Sequence, residues 1–108
     1  MAWFIVVPKL RVSAMAIYPF ILVQKTAYKT EAILVNHEKI HHRQQLELLI
    51  VPFYLFYLIN YLYNLLKYRK HHVAYLNIVF EKEAFAQQHN LAYLNSRKLF
   101  SWIKYARR

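Results

Sequence analysis

Two histidines, His37 and His41, stand four residues apart with Glu38 directly after the first, inside the stretch TEAILVNHEKIHHRQQLELL at 30–49. Neither Gly nor Pro interrupts the chain from there to Pro52, and Thr30 is a residue type that caps helix starts, so the stretch reads as a helix. A helix turns about 100° per residue, which puts positions i and i+4 on one face, one turn apart. Two imidazoles so placed can hold one metal ion at about 2.0–2.1 Å each. Glu38 lies about 100° round from His37, where its carboxylate can take a proton from a water on that ion. On a wheel centred on His37, Ile33, Leu34, Ile40, His41, Gln44 and Leu48 fall within roughly 60°, while Lys39, Arg43 and Leu46 point away. The two rings are thus expected in the middle of an apolar face. A buried polar group there needs a partner, and a metal is a good one.

The rest of the chain limits what can surround this pair. Its 108 residues suit one domain with a single modest core. With no Cys, disulfides and thiolate metal sites are excluded, so any metal must be held by His and carboxylate. With no Gly, phosphate-cradling loops of the Walker or dinucleotide kind are excluded as well. All five acidic residues are Glu, and the net charge is +10. Ten Tyr and seven Phe accompany that charge. A basic, apolar, Tyr-rich chain suits an anionic membrane surface, or less readily a nucleic acid. The plainer reading is a charged surface that keeps a small apolar protein soluble.

Residues 1–29 hold two apolar runs. The first, Trp3–Val7, is too short for the apolar region of a signal peptide, which points to the cytoplasm or the cytoplasmic membrane face. The second, AMAIYPFILV at 14–23, is rich in β-branched and aromatic residues and reads as strand; Pro19 assigns it to a sheet edge, with a hairpin as the alternative. A free edge just before the histidine helix could pair with an extended peptide.

Residues 48–66, LLIVPFYLFYLINYLYNLL, carry no charge and are followed by Lys67, Arg69 and Lys70. Length alone makes this a membrane-span candidate. Pro52, Asn60, Asn64 and the tyrosines argue against it, and a single crossing would part everything after 67 from His41. A helix broken at Pro52, touching a membrane by its face, is the favoured reading. Residues 71–90 read as the next helix; His71 and His72 continue the basic cluster in solvent, and His89 suits the helix's C-terminal dipole. The tail, 91–108, reads as a loop at Asn95–Ser96 and a short basic amphipathic helix that either meets a membrane surface or packs on the domain.

The order of these parts resembles the gluzincin metallopeptidases. It carries HExxH at 37–41, a strand before it, and Glu81-Lys82-Glu83-Ala84 on a later helix in place of the family's Glu-x-x-Ala frame. The membrane-linked branches are the nearest in pattern: the prenyl-protein and heat-shock endopeptidases and the peptidase domain of the beta-lactam sensor-transducers. Minigluzincins and small bacterial HExxH proteins of this length are also similar. The resemblance covers roughly residues 14–90. It implies zinc held by His37, His41 and Glu81, Glu38 as general base, and hydrolysis of peptide bonds in a peptide or protein substrate. Phe85 departs from the pattern, standing where the family keeps an Asp that orients a ligand histidine. A wheel over 73–90 favours Glu81 over Glu83 as third ligand. Glu81 sits in a largely apolar arc with Asn77 and Gln88 beside it, whereas Glu83 lies about 160° away, free to sit in water.

The expected architecture is therefore α+β, mainly α, in one zincin-like domain. A strand region at 1–29 leads into the HExxH helix at 30–51, an apolar helix at 52–70, a glutamate-ligand helix at 71–90 and a basic tail at 91–108. The expected function is a zinc metallopeptidase; the alternative is an inactive zincin-like basic module that binds a membrane surface or nucleic acid.

Overall fold

The computed structural model describes residues 2–107. It is an α+β fold, mainly α, with a small N-terminal sheet followed by helices. Strands β1 (Trp3–Val6), β2 (Ala14–Ile17) and β3 (Phe20–Val23) lie in the order β1-β3-β2, with β1 parallel and β2 antiparallel to β3. The run 14–23 is thus a hairpin and not one strand. Proline has no N–H for a ladder, and the chain folds back at Tyr18–Pro19, whose peptide bond is cis. β3 becomes the centre and β2 an edge. Alternation along β3 then buries Ile21 and Val23 completely.

Helix α1 (Ala32–Leu48) starts later than expected, and its N-cap is Glu31. The Thr30 hydroxyl instead donates to the carbonyl of Ala27 (3.1 Å), within a 3-10 turn at Thr26–Thr30. Lys39, Arg43 and Leu46 face solvent as the wheel requires. The buried face differs from expectation: Ile33 is 42% exposed, and the buried set is Asn36, His37, Glu38, Ile40, His41, His42, Gln44 and Gln45. α1 therefore carries its polar groups inward, and each demands a partner there.

The break before α2 (Ile50–Tyr68) falls at Leu49, with φ of 59°, and not at Pro52. Pro52 is the third residue of α2, where the missing N–H has no helical acceptor to lose. The two helices meet at 109°. The inner side of α2 buries Phe53 and Asn64. No single helix among the described residues is long and apolar enough to cross a membrane; α1 and α2 pass that test only as a bent pair.

Residues 71–90 form two helices, α3 (His71–Leu76) and α4 (Val79–Gln87). Asn60 of α2 is the reason: its Oδ1 accepts from the N–H of Val79 (2.8 Å), while Ile78 is extended, so α4 gets a fresh start capped from another element. At the other end of α4, Asn36 of α1 donates its Nδ2 to the carbonyls of Gln88 (2.9 Å), Asn90 (3.1 Å) and Gln87 (3.4 Å). Ile40 and Ala84, both fully buried, complete the contact between α1 and α4 with Tyr93 of a short helix α5 (Tyr93–Ser96). A second cluster joins Phe53, Ile78 and Phe80, and Trp102 of the closing 3-10 helix (Ser101–Arg107) packs on it, with ring centroids of Phe80 and Trp102 5.1 Å apart.

Candidate metal centre

α1 and α4 bring the ligand candidates together. The Nε2 atoms of His37 and His41 each lie 3.0 Å from the same oxygen, Oε1 of Glu81. All three residues are buried, and one ligand atom from each lies within 4.8 Å of the others. Two ligands at 2.0–2.1 Å on a tetrahedral ion stand about 3.3 Å apart, so the spacing fits a shared metal. Ala84, one turn beyond Glu81, is small enough to let Ile40 and with it α1 come close.

The outer nitrogens of the histidines decide what the inner ones can be. Gln44 Oε1 lies 2.7 Å from His41 Nδ1. The orientation of that amide is set by its other end, because Nε2 of Gln44 donates to the carbonyl of Phe80 (3.0 Å) and to Oε1 of Glu83 (2.9 Å), both acceptors only. His41 Nδ1 therefore donates, and its Nε2 is the lone-pair nitrogen of the neutral ring. Gln88 Oε1 stands likewise 2.8 Å from His37 Nδ1. Two imidazole lone pairs and a carboxylate oxygen thus converge, and only a positive charge reconciles them. A proton can serve: burial opposes charge on His41, but Glu81 outweighs burial and raises the ring to about 9. A divalent cation serves all three acceptors at once.

Glu81 is held from both sides. Tyr57 of α2 donates its hydroxyl to Oε2 (2.6 Å), leaving Oε1 to the histidines. Burial works against its charge, yet His41 and the bonds from both rings hold its carboxyl far below the usual range. Glu38 is the opposite case. It is buried, and among the described residues no hydrogen bond or ion pair engages its carboxylate. Burial raises its pKa, with His41 and His37 opposing. It lines a cavity of about 160 Å³ together with His41, Glu81, Phe53, Tyr54, Tyr57 and Tyr75, and with Ala14, Met15 and Ala16 of β2. One carboxylate is held by the Tyr57 hydroxyl and faces both histidines, and the other lines a cavity with no hydrogen-bond partner among the described residues, so the two carboxylates meet different environments.

Glu83 does not sit in water. It is fully buried on the far side of α4, bound by Arg97 Nε (2.6 Å), Tyr93 hydroxyl (2.5 Å) and Gln44. Arg97 reaches on to Glu47 of α1 through Nη1 (2.7 Å) and Nη2 (3.0 Å). Expectation failed because the wheel over 73–90 assumed one continuous helix and because Arg97 lies outside it. Of the two polar residues beside Glu81 on the wheel, Gln88 bonds to His37 and Asn77 turns away to the carbonyl of Val73, while Phe85 packs edge-on against His37, with ring centroids 4.5 Å apart. Gln44 was legible in part, being three residues from His41 on the same face. His71 accepts or donates to the Tyr61 hydroxyl (2.8 Å) at the surface, His72 and His89 are exposed, and none of the three joins the site.

The edge of β2 is partly taken. The Ala16 carbonyl accepts from Gln45 Nε2 (2.8 Å) and from the Tyr54 hydroxyl. Since N–H and C=O of one residue share a side of a strand and alternate along it, Ala14 presents its groups on the same outer edge. Comparison of the chain with protein-family models, with curated proteins and with solved structures returns no match.

Proposed function

We propose that this chain is a small zinc-dependent metallopeptidase of gluzincin character, with His37, His41 and Glu81 as ligands and Glu38 as general base. What carries the reading is the convergence of three acceptors on one point beside a carboxylate that has no partner of its own. Zinc held there would supply Lewis acidity toward a peptide carbonyl and would make water acidic enough to attack near neutral pH. The chain's own residues do the rest. Gln44 and Gln88 orient the rings, and Tyr57 turns the Glu81 carboxylate. Glu38 takes one proton from a water in the cavity as its oxygen bonds to the carbonyl carbon, then passes that proton to the amine as the C–N bond breaks. Burial suits it to the task, because it raises the pKa of the carboxyl and so makes the carboxylate a better proton acceptor than one in water. Beside the cavity the substrate backbone can pair with the Ala14 end of β2, and the apolar and tyrosine walls of the cavity suit an apolar side chain beside the cleaved bond.

Metal analysis of the purified chain beside peptide-cleavage assays tests this. About one zinc per chain is expected, lost in His41→Ala. Glu38→Gln should keep the metal and lose hydrolysis. Equal peptide turnover in wild type and Glu38→Gln would remove the case for an enzyme.

A further inference from the structure

We propose that the outer face of α2 is a docking surface for an anionic lipid bilayer, with the helix lying in the plane of the membrane. Val51, Leu55, Leu58, Leu62 and Leu66 recur at spacings of four, three, four and four residues, which aligns them within roughly 80° of one another. They are 77%, 56%, 53%, 47% and 75% exposed. The stripe runs about 22 Å along the helix without a charge. A soluble monomer rarely leaves so long an apolar surface in water, and a stripe of this kind marks an interaction site.

The opposite face is committed to the domain. Phe53 is buried, Tyr57 holds Glu81, and Asn64 donates to the carbonyl of Ala74 in α3 (3.2 Å). α2 therefore has only its outer half to offer and cannot be surrounded by lipid, which agrees with this 19-residue helix not being apolar enough to span a membrane by itself. An interfacial helix needs only that half.

Charge chooses the occupant. Between Glu47 and Glu81 there is no acidic residue, and the stripe ends at Lys67, Arg69 and Lys70, all exposed. The whole chain carries +10. A second copy would bring the same charge against this one, whereas an anionic leaflet complements both the stripe and its basic end. The docking does not depend on the metal reading. It does place the cavity, which Phe53, Tyr54 and Tyr57 line from the inner face of α2, about one helix diameter from the lipid.

The chain has no Cys, so single cysteines carrying an environment-sensitive fluorophore report on chosen positions. Leu62→Cys on the stripe and Lys39→Cys on the exposed side of α1 are titrated with phosphatidylcholine vesicles, with and without about one-third phosphatidylserine. A blue shift at position 62 that needs the anionic lipid, with none at 39, is expected. In flotation of the unlabelled chain, Leu58→Glu with Leu62→Glu should abolish vesicle binding without loss of helix signal, since both side chains are exposed. Charge reversal at Lys67, Arg69 and Lys70 should lower affinity for anionic vesicles about tenfold or more. No shift at 62, or equal shifts at 62 and 39, would overturn the proposal. So would a dimer in lipid-free solution that the stripe variant dissolves while vesicles bind neither form, because the occupant would then be a second copy.

Discussion

At the scale of single residues, the division of labour between the carboxylates makes the sharpest predictions. Glu81 and Glu83 stand two apart on α4 and face opposite ways, one into the histidines and one into Arg97. Glu81→Gln should lose most of its zinc affinity yet remain folded, because the amide can keep contacts with Tyr57 and one imidazole. Arg97→Met should be damaging to the fold, at about 3–5 kcal/mol, since it strands two buried carboxylates, Glu47 and Glu83. Adding Glu83→Gln to Arg97→Met should recover part of that loss, and denaturant titration of the two variants decides it; an additive double variant would show that the groups do not act as a unit. Gln44 links the two sets, so Gln44→Ala should weaken zinc binding by about 10- to 100-fold without changing its stoichiometry. The histidine pair, Glu38 and Glu81 were legible in sequence because local spacing on a helix governs where they point. Gln88 and Arg97 were not, since their partners come from elements up to 51 residues away.

At the scale of elements, helix ends are where local reading ran out. Val79 begins α4 because Asn60 caps it from α2, and Asn36 closes the same helix from α1; neither partner is near in sequence. Pro52 invited a break that the chain makes three residues earlier, at Leu49, because proline is tolerated in a first turn. Pro52→Ala should accordingly change stability by no more than about 0.5 kcal/mol, against roughly 3 kcal/mol for a proline in a helix interior. A large gain in thermal stability from that substitution would contradict the assignment. Asn36→Ala should cost about 0.5–1.5 kcal/mol, because partly buried carbonyls at the end of α4 lose their donor. Acid should expose the α1–α4 junction too. Burial pushes Glu83 up, but its bonds from Arg97, Gln44 and Tyr93 outweigh this and lower its pKa from the ordinary value of 4.5. A lowered folded-state pKa contributes stability that is present above 4.5 and lost as pH falls through the lowered value. Glu83→Gln should therefore flatten that part of the acid limb.

At the scale of the whole molecule, the apolar core is small and the buried polar inventory large. Apolar packing centres on Ile40, Ala84 and Tyr93 on one side and Phe53, Ile78 and Phe80 on the other. Between them α1 buries Asn36, His37, His41, His42, Gln44, Gln45 and Glu38. Composition read the chain as apolar, at 58% hydrophobic residues, yet much of that apolar surface lies outside on α2. Stability must then lean on the bonds that the polar interior does make, and a ligand that ties α1 to α4 acts on the whole fold. Zinc that binds the folded site and not the unfolded chain stabilises by mass action, by about 2.7 kcal/mol at a free concentration of 100 times Kd. For a chain of this length each kcal/mol moves the midpoint by about 4–8 °C, so zinc should raise Tm by about 10–20 °C and a chelator should reverse it. Because the ligands bind metal only when deprotonated, the increment should shrink as pH falls. Calorimetry of wild type and Glu81→Gln, each with zinc and with chelator, is the measurement. The increment should vanish in Glu81→Gln, and an equal rise in both would mean that zinc acts at the surface and not between His37, His41 and Glu81.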